Sequence, residues 1–244
     1  MSLATHKHFF RSEKRKWKNN KNFNCQLIDI YDHDESEPEA PMWHFPGEYI
    51  VYFFGVTELS ETVCIRVSGY RPSFFLAVPR NWNFQDTDWL QKHLIDKETK
   101  YTNQWGQDKK LRWFNNCNIE LKVVKRQKFD GFQTEKFHKF VEIIFNSNQA
   151  MRTTRNYFES IKHKGLKTPR NIKIPVKLFE ADLMPVLRMC HKREITPCSW
   201  VNLTAKKYDV VQGYNKKSNC QYEFNVHWNN INPYNTENIA PLLV

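Results

Sequence analysis

Three groups of residues have the types and spacing that chemistry asks for. Asp86-Thr87-Asp88 sets two carboxylates two residues apart, and paired carboxylates of this kind hold the divalent ions of phosphoryl transfer. Asp29-Ile30-Tyr31-Asp32 is a second pair, followed by Asp34, Glu35, Glu37 and Glu39 around Pro38 and Pro41, all oxygen donors suited to hard cations. Cys190, His191 and Cys198 offer softer donors of the sort zinc takes. Each group also has a plainer reading. Asn83-Phe84-Gln85 precedes the first pair and Trp89-Leu90 carries it into a helical pattern, so its carboxylates read as helix-capping residues. The acidic stretch lacks the glycine-centred spacing of a calcium loop and reads as a solvated connector. A zinc set would need a fourth ligand at a supportive spacing, which the sequence does not supply.

Binding has a stronger signature than catalysis. Arg152, Arg155, Lys162, His163, Lys164, Lys167, Arg170 and Lys173 gather on and after one predicted helix. Point charges at this density hold phosphates, and Arg152, Arg155, Lys162, Lys164, Lys167 and Arg170 are the expected nucleic-acid contacts. Any one of them could equally be solvated surface. The chain as a whole carries 37 Lys and Arg against 26 Asp and Glu, a net charge of +11 that favours polyanionic partners. Residues 1–22 read as a basic arm, with Lys7, Arg11, Lys14, Arg15, Lys16, Lys18 and Lys21 against the single acid Glu13.

The elements that must position these residues follow from hydrophobic periodicity. Phe23 to Tyr31 alternates as a strand. Tyr49–Phe54, Thr62–Val67 and Ser73–Val78 are rich in β-branched and aromatic residues and predict an antiparallel meander, OB-like or barrel-like. Asp86 or Thr87 is the expected cap of a helix bearing Trp89, Leu90, Leu94 and Ile95. Further on, Ile119–Val124 and Lys139–Phe145 read as strands, and Asn146 or Ser147 caps a helix through Met151, Tyr157, Phe158 and Ile161. Val176–Glu180 reads as another strand, and Leu183, Val186, Leu187 and Cys190 as the buried stripe of a last helix before the turn at Thr196-Pro197. The fold class is therefore α+β, a β meander plus a split βαβ, ferredoxin- or RNA-recognition-like layer. Expected domains are the arm at 1–22, a β-rich subdomain at 23–118, the ferredoxin-like subdomain at 119–203 and a connector with a strand at 204–244. His138 to Phe145 lacks the glycine and paired aromatics of an RNA-recognition strand, so base stacking on that sheet is not expected.

Hydrophobic residues at 40% and aromatics at 15% exclude a disordered chain. No apolar run approaches a membrane span, and Met1 to Lys21 has no apolar core of a signal peptide, so an intracellular location is expected. Cys25, Cys64, Cys117, Cys190, Cys198 and Cys220 are scattered without a paired C-x-x-C spacing and read as reduced thiols.

Two segments resemble the N-terminal region of family B DNA polymerases, the delta-type enzymes and those of large DNA viruses in particular. The first is Phe54-Gly55-Val56-Thr57-Glu58 followed by Val63 to Phe75, with Gly69-Tyr70-Arg71-Pro72 at a tight reversal between strands. The second is Lys177-Leu178-Phe179-Glu180-Ala181-Asp182-Leu183, then Leu187-Arg188-Met189, then Ile195 to Val201. Lys128 to Phe132 and Phe140 to Phe145 fit between them in the same order.

This resemblance implies a replicative DNA polymerase segment that scaffolds the enzyme and flanks the single-stranded template, with the exonuclease and polymerase domains as its other partners. Magnesium is the cofactor implied for a full-length enzyme, acting in nucleus or cytoplasmic viral replication site, and no cofactor is expected in this segment. Asn238 to Val244 resembles the approach to the first exonuclease motif, so the chain is expected to end in an interrupted strand. In the family the palm aspartates follow tyrosine-glycine in a hairpin, which Asp86-Thr87-Asp88 does not. Neither nucleotidyl transfer nor exonuclease chemistry is expected here. Two other readings use the same residues: a free-standing single-stranded nucleic-acid-binding module, and a protein-interaction module.

Overall fold

A computed structural model describes residues 17–35, 47–95, 100–102, 108–110, 119–127 and 137–237. Most of the basic arm, Glu37 and Glu39, Cys117, Lys128 to Phe132 and Asn238 to Val244 lie outside the described residues. In chain order the elements are β1 (Phe23–Glu35), β2 (Glu48–Val56), β3 (Thr62–Ser68), β4 (Ser73–Ala77), α1 (Phe84–Ile95), β5 (Lys100–Thr102), β6 (Asp108–Lys110), β7 (Glu120–Arg126) and β8 (His138–Ile144). They continue with α2 (Asn148–Ser160), β9 (Leu166–Lys167), β10 (Lys173–Ile174), β11 (Leu178–Phe179), α3 (Pro185–Lys192), β12 (Trp200–Leu203), β13 (Tyr208–Val210), β14 (Tyr222–His227) and β15 (Ile231–Pro233). The α+β class is borne out. Among the described residues no helix is long and apolar enough to cross a membrane.

The chain divides into two compact units, each assembled from discontinuous segments. The first takes the described parts of Met1–Asp32, Ile50–Tyr70 and Val186–Val244. Its seven-stranded sheet runs β13-β14-β3-β2-β1-β12-β15, with β14 parallel to β3. Alternate residues of each strand fill its interior, as the period of two requires: Cys25 and Leu27, Phe53, Ile65 and Val67, Val201 and Leu203, Phe224 and Val226 are all buried. Phe224 packs tilted against Phe23 and edge-on to Tyr208, with ring centroids 4.5 and 5.2 Å apart. Trp17, near the end of the expected arm, joins them: its indole lies 5.0 Å from Phe23 and donates to the Tyr208 hydroxyl at 2.7 Å.

The second unit takes the described parts of His33–Tyr49 and Arg71–Pro185. Its main sheet is antiparallel, in the order β11-β4-β8-β7. Phe74, Leu76, Val141, Ile143 and Phe145 pack against Leu90 and Leu94 of α1 and Ala150, Met151, Tyr157 and Phe158 of α2. Phe74 contacts Phe145 at 5.4 Å and meets Phe158 edge-on at 6.1 Å.

Two strands sit in a different sheet from the one their sequence neighbours suggested. Ser73 to Ala77 does not fold back on β3 as a third meander strand but pairs with β8 and β11 in the second unit. Gly69, with φ +80 and a Cβ position 2.3 Å from the His227 ring, must be glycine, and because β3 and β4 belong to different sheets it begins a link between them rather than a hairpin reversal. Trp200 to Leu203, which follows the turn at Thr196-Pro197 and falls within the expected ferredoxin-like subdomain at 119–203, pairs instead with β1 and β15. The helix before it buries Val186, Met189 and Cys190, whereas Leu183 and Leu187 are 40% and 49% exposed and drop out of the expected stripe.

Candidate nucleic-acid interface

The basic cluster is carried by α2 and by the β9–β10 hairpin that follows it. The helix forms because its apolar residues recur on one face: Ala150, Met151, Tyr157 and Phe158 are buried, with Thr154 among them. Its start is capped twice. Ser147 Oγ accepts from Ala150 N at 3.2 Å, and the Asp34 carboxylate accepts from Asn148 N at 2.7 Å and Gln149 N at 2.8 Å. Asp34 thus works as a capping anion at the positive end of the helix dipole. At the other end Lys164 N and Gly165 N donate to Ile161 O, and Lys162, His163 and Lys164 follow directly, where cations complement the negative end.

The hairpin is tightly built. Gly165 has φ +71, and a Cβ there would stand 2.8 Å from Ile174 O, so only glycine lets the chain turn from the helix into β9. Leu166 and Ile174 point into the core and are buried. In the turn, Thr168 N donates to Ile172 O at 3.0 Å, Asn171 N to Thr168 O at 2.9 Å, and Ile172 N to Thr168 Oγ1 at 3.2 Å.

The six expected contacts divide into two groups on this scaffold. Arg155 bonds Asp182 at 3.0 Å, Lys162 bonds Glu159 at 3.1 Å, and Arg170 donates to Asn81 O at 3.0 Å while standing 3.4 Å from the buried Asp86 carboxylate. These three have structural employment. Arg152, Lys164 and Lys167 are exposed and make no ion pair or side-chain hydrogen bond with the described residues. Lys173 is in the same position and was not singled out as a contact, because its importance depends on hairpin register: it stands directly across from Lys167.

The candidate metal groups resolve into structural roles. Asn83 is the cap of α1, one turn earlier than expected: Asp86 N donates to Asn83 Oδ1 at 3.1 Å, and Asn83 N to Asp86 Oδ2 at 3.0 Å, a reciprocal capping box. Thr87 Oγ1 accepts from Trp82 Nε1 at 2.8 Å, and Asp88 pairs with Lys92 one turn on at 2.7 Å. Cys190 is buried, while His191 and Cys198 are exposed. Among the described residues no three His, Cys, Asp or Glu side chains come together as a metal set.

No family model matches the chain. It is 26% identical over 227 residues to a DNA polymerase of Acanthamoeba polyphaga mimivirus, covering 92% of this chain and 12% of that protein. A DNA polymerase of Pyramimonas orientalis virus is 24% identical over 235 residues, 96% of this chain and 18% of that protein. The DNA polymerase delta catalytic subunit of Dictyostelium discoideum is 25% identical over 195 residues, 78% of this chain and 17% of that protein. The resemblance to DNA polymerases of the viral and delta types holds. The fold agrees: the family B DNA polymerase of the hyperthermophilic archaeon Pyrobaculum calidifontis superposes with a TM-score of 0.53 over 91% of this chain and 21% of that one, at 14% identity. The chain therefore spans less than a fifth of the length of these three relatives and matches them over most of its own.

Proposed function

We propose that this chain is a non-catalytic N-terminal segment of a replicative DNA polymerase, which scaffolds the enzyme and holds single-stranded DNA on the template side along the basic face of α2 and the β9–β10 hairpin. The observation that carries this reading is the similarity to viral and delta-type polymerases over 78–96% of the chain. Arg152, Lys164 and Lys167 supply the charge available for phosphates; Arg155, Lys162 and Arg170 hold the scaffold that presents it. The magnesium of nucleotidyl transfer would be held by other parts of a full-length enzyme, since the carboxylates described here cap helices and pair with cations. The exonuclease and polymerase domains are the segment's other partners, and its place of work is inside the cell.

Fluorescence anisotropy with a labelled single-stranded oligodeoxynucleotide tests the binding. Affinity falls as salt rises, with a log–log slope of about −0.7 per phosphate contacted. The double change Arg152→Glu and Lys164→Glu weakens binding and flattens that slope. Affinity indifferent to both salt and these changes would reduce the basic face to solvated surface.

A further inference from the structure

The β9–β10 hairpin carries a like-charged pair that the scaffold does not explain. Lys167 and Lys173 are direct cross-strand partners, and Leu166 and Ile174 are the pair beside them. Because side chains alternate between faces, burying Leu166 and Ile174 turns both lysines outward, and both are exposed. Thr168 N donates to Ile172 O, so the next pair inward is of the non-hydrogen-bonded kind, where opposing side chains lie closest. Like charges so placed are unfavourable. Neither ammonium has an ion-pair or hydrogen-bond partner among the described residues, although acids nearby in the fold neutralise Arg155, Lys162 and Arg170.

The backbone beneath the pair is held firmly. Arg170 at the turn is tied to Asn81 O and to Asp86, Thr168 closes the loop from within the core, and Gly165 fits against Ile174 O with no room for a side chain. Two stems thus leave one face of a fixed base, and the backbone ordering that sets their spacing is already in place before a ligand arrives. Lysine ammonium groups bind phosphate as point charges, and a phosphodiester presents two non-bridging oxygens to two such groups.

We propose that Lys167 and Lys173 form a two-pronged clamp that takes one phosphodiester of a DNA strand crossing the hairpin. This rests on the reading of the basic face as a DNA-binding surface and adds to it a single defined phosphate position, which includes a residue outside the expected set.

The test uses the whole 244-residue chain and the same oligonucleotide, with Lys167→Gln, Lys173→Gln and the double variant. A clamp on one phosphate predicts that each single change weakens binding several-fold and that the double change adds little. The salt slope then drops by about 0.7 in the double variant, where two independent contacts would lower it by about 1.4. Without DNA, the single variants melt at the same temperature as the parent or higher, because a like-charge contact has been removed. Inorganic phosphate at matched ionic strength leaves the oligonucleotide bound; displacement would assign the pair to free anions and overturn the proposal. Additive losses, or unchanged affinity in all three variants, also overturn it. Should Arg152→Glu with Lys164→Glu weaken binding while the hairpin variants do not, the DNA-binding face stands and the clamp falls. If the parent chain binds no single-stranded DNA, both fall together.

Discussion

At the residue scale, burial separates the cysteines that can react from those that cannot. Desolvation disfavours the thiolate, so it pushes the thiols of Cys25 and Cys64 up to about 12 and that of Cys190 up to about 11. A raised pKa means less thiolate at any given pH, and between pH 7 and 9 these three stay almost wholly protonated. Among the described cysteines Cys198, exposed at the end of its turn, is the expected site of modification. Maleimide labelling at pH 8 followed by peptide mapping should find Cys198 modified ahead of the other described cysteines, with Cys25, Cys64 and Cys190 labelled only in denaturant; early labelling of Cys25 would contradict the buried β1 register. The sequence was readable to this depth for charge and not for pairing. The run from Arg152 to Lys173 shows that cations cluster, and Glu159 three residues before Lys162 is a local partner, but the commitment of Arg155 and Arg170 depends on Asp182, Asp86 and Asn81, whose positions only the fold supplies. Asp86-Thr87-Asp88 does lie at the start of a helix, yet the cap itself is Asn83, whose side chain accepts from the Asp86 amide.

At the scale of elements, α2 is where local pattern and long-range contact meet. Its period of apolar residues and its Ser147 cap are legible because both are local. The second cap is not: Asp34 comes from 114 residues away and sits in a stretch whose many carboxylates look like a solvated connector. Ser147→Ala should cost about 1 kcal/mol of stability, within the ~0.5–2 kcal/mol range for lost caps. Asp34→Ala removes an acceptor shared by two backbone donors and should cost about 1–2 kcal/mol. Urea unfolding would measure both, and hydrogen exchange at the amides of Asn148 and Gln149 should rise in the Asp34 variant. An Asp34→Ala protein as stable as the parent would mean that water serves these donors equally well. The rigidity of α2 matters beyond stability, because the β9–β10 hairpin springs from its end and the free cations inherit their positions from both.

At the scale of the whole chain, the class was legible and the partition of strands was not. Strand-forming runs are local, so most strands fall where the alternation of apolar residues places them. Their partners are set by register with segments far along the sequence. Gly69-Tyr70-Arg71-Pro72 has the composition of a hairpin turn, but the sheet that best covers Ser73 to Ala77 is built by β8 and β11. Trp200 to Leu203 likewise finds β1, some 178 residues earlier at Asn202 and Asn24, rather than the strands just before it. Such interleaving makes each unit depend on chain segments from both sides of the other.

The central claim is that this scaffold binds DNA and performs no chemistry on it. A labelled primer annealed to a longer template, incubated with the purified chain, magnesium and all four deoxynucleotides, tests both halves at once. The account predicts a retarded complex on a native gel at low salt and a primer of unchanged length on a denaturing gel. A primer lengthened or shortened by an activity that stays with the chain through successive columns, or the absence of any complex, would contradict it.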